Sequence, residues 1–79
     1  MTRTETTDNA GRRIIDITTA CGRGWAVVRE TGRGFSAVYG YHAGNDYSAQ
    51  TRTIYGAEKH FKSEAGAVKH ATAGAQSMA

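Results

Sequence analysis

Residues 22–41 read GRGWAVVRETGRGFSAVYGY and state one pattern twice. Gly22-Arg23-Gly24-Trp25 opens one apolar run, and ten residues later Gly32-Arg33-Gly34-Phe35 opens another. Glycines flanking a single residue supply the positive φ angles that a tight reversal needs, and the aromatic and β-branched residues that follow suit a pleated, half-buried surface. The stretch therefore predicts two successive hairpin turns joining three strands, which commits the chain to an antiparallel sheet.

The strand before this stretch is read at residues 12–20, where Ile15 and Ile17 share one side and Ile14, Asp16 and Thr18 the other. The Ile15/Ile17 side is assigned to the core, since the opposite choice would bury Asp16. Trp25 and Val27 lie on one side of the next strand and Ala26 and Val28 on the other, as expected for a central strand or for one whose second side meets a partner. In the third strand Phe35, Ala37, Tyr39 and Tyr41 form the aromatic, core-facing side. Residues 43–48 are a loop by composition, and residues 50–56 form a weaker fourth strand suited to a sheet edge.

The last element begins at Ser63, an N-cap residue followed by Glu64 in the first turn, and Gly74 is read as its stop. Ala65, Val68, Thr72 and Ala75 line its inner side at helical spacing, with Ala71 beside them. The expected fold is α+β: a four-stranded antiparallel meander with one C-terminal helix packed on one face. Residues 1–10 are read as a disordered arm, 11–75 as a single domain and 76–79 as a frayed tail.

At 79 residues, 39% of them hydrophobic and many of those alanine, the chain builds a thin core and no deep cavity. No run approaches the ~20 apolar residues of a membrane span, and the N-terminus lacks the apolar region of a signal peptide, so a cytoplasmic protein is expected. Cys21, the single cysteine, rules out an internal disulfide and a multi-cysteine metal site. His42, His60 and His70 match no zinc spacing, and no catalytic motif is present, so no enzyme, metal or cofactor is expected. The two Gly-Arg-Gly segments are read as turns and not as phosphate loops, because no Gly-Lys-Ser/Thr follows.

Ten Lys and Arg against seven Asp and Glu leave a net charge of +3, which favours nucleic acid or acidic protein surfaces as partners. A meander gathers Arg12, Arg13, Arg29 and Arg33 at one end of the sheet and brings Lys59 toward them; an arginine cluster of this kind binds phosphate or carboxylate oxygens through its planar forks. At the other end lie Arg23, Arg52 and His42, with Asp46 in the adjoining loop, and Tyr41 and Tyr47 join Arg23 and Arg52 as secondary contact candidates.

With Phe61 to Ala71 (FKSEAGAVKHA) as its strand-to-helix junction, the arrangement over residues 12–74 resembles small proteins of bacteriophages and mobile elements, among them compact anti-CRISPR proteins. The resemblance is architectural and transfers no binding residue. It implies a rigid, non-enzymatic body that occupies and blocks a host nucleic-acid-processing complex, such as a CRISPR-Cas effector, in the bacterial cytoplasm. The basic charge favours docking on an acidic surface over mimicry of DNA. Direct binding of nucleic acid through the same arginines is the alternative, and a homodimer pairing edge strands is compatible with either.

Overall fold

In the computed structural model, which describes residues 1–44 and 47–79, the chain forms an antiparallel sheet with one helix across it. The strands are β1 (Thr2–Thr7), β2 (Arg13–Thr18), β3 (Gly24–Thr31), β4 (Gly34–His42), β5 (Arg52–Ile54) and β6 (Lys59–Phe61), followed by α1 (Glu64–Ser77). A single 3-10 turn, Ala49–Thr51, leads into β5. The α+β class, the meander and the closing helix match the expectation, but the sheet has six strands among the described residues where four were expected.

Both additions have a physical reason. Thr2–Thr7, expected to be a disordered arm, pairs with β2 through every residue, from Thr2 opposite Thr18 to Thr7 opposite Arg13. Asp8 holds the turn between them: its carboxylate Oδ1 accepts the N–H groups of Ala10 and Arg12, each at 2.9 Å. β1 contains no apolar residue, and alternating threonine with charge suits a strand that is solvated on both sides. β5 and β6 lie end to end along the outer edge of β4, with the register displaced by two residues between them: Gly40 opposes Ile54, whereas Phe35 opposes Phe61. The edge expected at residues 50–56 is thus shorter, broken after Ile54, and resumed beyond Gly56.

Ile15 and Ile17 face the helix as expected, joined by Ala26, Val28 and Ala37, with Phe35 and Tyr39 at the margin. The helix covers them with Ala67, Ala71 and Ala75. Ser63 caps it, its Oγ accepting the Gly66 N–H at 3.1 Å. Two expectations for the helix are corrected. Its inner face is turned so that Ala67 is buried and Ala65 exposed, and Gly74 lies inside it as a packing residue. A Cβ on Gly74 would fall 2.3 Å from the Tyr39 ring, so the missing side chain lets helix and sheet approach closely. With Gly74 internal, the helix runs to Ser77 and takes up part of the expected tail. Among the described residues no helix is long and apolar enough to cross a membrane.

Candidate interaction surface

Among the described residues the opposite face of the sheet has no α-helix. Strand alternation and register place three rows across it: Thr6, Ile14, Arg29, Ser36 and His60; Thr4, Asp16, Val27 and Val38; and Thr2, Thr18, Trp25, Gly40 and Ile54. Trp25 is only 4% exposed although it lies on the side of the sheet away from α1. Its cover is Arg52. The guanidinium lies 4.9 Å from the ring centroid, and its two terminal nitrogens donate to the two carboxylate oxygens of Asp16, each at 2.9 Å. Below, the indole Nε1–H donates to the Tyr41 carbonyl at 2.9 Å. Gly40 leaves room for the ring, since a Cβ there would come 2.9 Å from it. Arg52, expected as a contact residue, is thus committed within the fold.

Next to this stack His42 is buried beside Tyr47, their ring centroids 5.5 Å apart. His42 Nδ1 and Thr51 Oγ1 share a hydrogen bond of 2.9 Å, and the Thr51 hydroxyl donates to the Ser48 carbonyl at 3.0 Å. Tyr41 is half-buried, Tyr47 and Arg23 are exposed, and the expected neighbour Asp46 lies outside the described residues.

The register brings the expected basic cluster to one end of the sheet and then divides it. Arg29 opposes Ile14, so the end of β3 lies beside the start of β2, with Arg12 and the Arg33 turn close to that rim. Adjacent strand residues point to opposite faces. Arg13 accordingly stands on the helix side, where it pairs with Glu5 and Glu64 while its backbone N–H donates to Glu30 at 3.1 Å. The hydrogen bond to Glu5, reinforced by the charges of Glu64, Glu5 and Glu30, raises the Arg13 pKa further above its ordinary value, so it stays charged at any accessible pH. Lys59 is also on the helix side, beside the Phe61 ring at 5.8 Å. Arg12, Arg29 and Arg33 are exposed, and among the described residues their side chains make no ion pair.

His60 lies near Glu58, and His70 is wedged between Tyr39 and Phe61, at centroid distances of 5.6 and 5.2 Å. Among the described residues no three His, Cys, Asp or Glu side chains gather as metal ligands. Cys21 is exposed in the β2–β3 turn beside a shallow hollow lined by Met1, Thr19, Ala20, Gln76 and Ala79, with no histidine present. Hydrogen bonding from Thr19 and from the backbone N–H groups of Arg23 and Gly24 lowers its thiol pKa. No known protein family, curated protein or solved structure matches this chain.

Proposed function

We propose that this protein is a non-enzymatic binding protein that docks through the helix-free arginine end of its sheet onto an acidic protein surface. The partner class is a host nucleic-acid-processing complex, such as a CRISPR-Cas effector, which the docked protein blocks by occupying a site. The reading rests on one contrast. Arg3, Arg13 and Arg52 are each held by carboxylates within the fold, whereas Arg12, Arg29 and Arg33 stand exposed at a common rim with no such partner among the described residues. Guanidinium groups left free on a rigid edge are pre-organised to fork onto carboxylates, and desolvation at an interface strengthens the pairing.

The second reading is direct contact with phosphates through the same three side chains. The two differ in salt dependence and in the need for a protein partner. In a reconstituted effector assay, the wild-type chain is expected to inhibit target cleavage, and the double substitution Arg29→Glu, Arg33→Glu to relieve inhibition at least about tenfold, as for two inverted charge contacts. Binding to random duplex that is tight near physiological salt and falls steeply as salt rises would replace the first reading with the second.

A further inference from the structure

The sheet ends, on the side away from β5 and β6, in a strand that among the described residues pairs on one edge only. All six residues of β1 are exposed, and β2 occupies only one of its edges. A free edge offers a row of N–H and C=O groups to another strand, and folds that avoid such pairing shorten, bend or interrupt the edge. The opposite edge is interrupted, being divided into two three-residue strands with Gly56 at positive φ between them. β1 is continuous and contains neither glycine nor proline.

Its charges carry the argument further. Only Arg3 and Glu5 are charged in β1; they have opposite signs and both stand on the helix side, opposite Ile17 and Ile15. We propose that β1 pairs antiparallel with β1 of a second copy of this chain, about a two-fold axis passing through Thr4. Thr4 then faces its own copy, Thr2 faces Thr6 of the partner subunit, and Arg3 faces Glu5 of the partner subunit, in both directions at once. Threonine pairs and opposite charges are favourable directly across strands, whereas like charges are not.

Shifting the axis by one residue in either direction sets Arg3 against Arg3 or Glu5 against Glu5. A register slipped by half that step is not open to two copies of the same edge, because the outward N–H and C=O groups of β1 come from alternate residues and pair only with groups of the same set. One register is therefore selected. Arg3 and Glu5 keep 44% and 45% of their side chains exposed, so each can add a partner across the seam to the contacts it already makes, Arg3 with Glu5 and Glu64 at 3.4 Å and Glu5 with Arg13.

The helix leaves room for the second copy. It packs on β3 and β4 and scarcely touches β2, so the helix side of β1 remains an open groove of about 590 Å³ lined by Arg3, Glu64, Ala65, Val68 and Lys69. In the paired assembly two such grooves join into one trough between the helices, floored by β1 and β2 of both copies. This inference does not depend on the binding role of the arginine end.

Sedimentation equilibrium or light scattering on the full chain, from about 1 to 500 μM, tests it over the range in which small interfaces associate. The expected mass moves from 8.5 kDa to twice that value as concentration rises. Arg3→Glu places Glu against Glu at two symmetric positions, and Glu5→Arg places Arg against Arg, so each variant alone should associate at least about tenfold more weakly. Mixed in equal amounts, the two variants regain every opposite-charge contact, and the heterodimer should form with near wild-type affinity. Circular dichroism melts of each variant verify the folded monomer. A wild-type chain that stays monomeric to about 500 μM, variants that dimerise as well as wild type, or a mixture of folded variants that does not associate would each overturn the proposal.

Discussion

On one face of the sheet Ile15, Ile17, Ala26, Val28 and Ala37 are covered by a helix; on the other, away from that helix, Trp25 and Val27 are buried at 4% and 8% exposure. The helix closes its face by size matching. Alanine at three buried positions and glycine at a fourth let the isoleucines and Tyr39 of the sheet reach the helix backbone. On the other face Trp25 is covered by a polar side chain, with the Arg52 guanidinium 4.9 Å from the indole centroid and anchored at both terminal nitrogens by Asp16. A small chain with one helix can thus cover two faces, provided the second cover is made from side chains whose stems are apolar and whose heads remain wet. The first face answers to volume, the second to geometry and charge.

The largest effect should follow removal of volume from the helix-covered face. Ile15 is 1% exposed and among the largest fully buried side chains, so Ile15→Ala should cost about 3 kcal/mol of unfolding free energy, measured by urea titration. For a domain of this length that is a large share of the total, which is about 4–12 kcal/mol. A cost below about 1 kcal/mol would mean that the helix is not seated as described and that the two faces are alike.

A smaller loss is expected from the side-chain cover. Arg52→Ala removes the bidentate ion pair and the contact over the ring, together about 1–2 kcal/mol given that both partners keep some solvent access. Because Trp25 is the single tryptophan, its fluorescence should shift to the red and become accessible to acrylamide. Arg52→Met separates covering from pairing: an apolar chain of similar reach should restore the blue emission, while Asp16 is left without its cation. If Arg52→Ala cost as much as Ile15→Ala, Arg52 would be an integral part of the core and not a cover laid upon it.

The same contrast explains what could be read from residue order. Ile15 and Ile17 were assignable because Asp16 stands between them, and the sheet end shared by Arg12, Arg29 and Arg33 followed from hairpin geometry alone. β1 carries no apolar period, since neither side of it is buried; its available signal was the alternation of threonine with Arg3 and Glu5. The helix face was misjudged because alanine at Ala65, Ala67, Ala71 and Ala75 gives nearly the same apolar signal all round, and only Gly74 against Tyr39 fixes the rotation. Arg13 was separable from Arg12 by alternation, but its neutralisation depends on Glu64, which lies far along the chain and arrives with the helix. Arg52 and Asp16 are likewise distant in sequence, so no local pattern announced their pairing over Trp25.

The smallest expected effect lies at the turn where the chain passes from β2 to β3, beyond either cover. Cys21 is exposed, so burial does little to its thiol; hydrogen bonds from Thr19 and from the N–H groups of the turn favour the thiolate and lower the pKa. Thr19 is itself buried, and its Oγ1 also accepts the Gly24 N–H at 3.1 Å, which fixes the hydroxyl beside the sulfur. The rate of alkylation by iodoacetamide, followed against pH, should therefore reach its midpoint below that of the same chain unfolded in urea, and Thr19→Val should move the midpoint back up. A thiol pKa lowered on folding contributes stability that is fully present above the unfolded pKa and is lost as pH falls through the folded pKa. A folded-state midpoint equal to the unfolded one would show that the turn does not hold its donors on the sulfur.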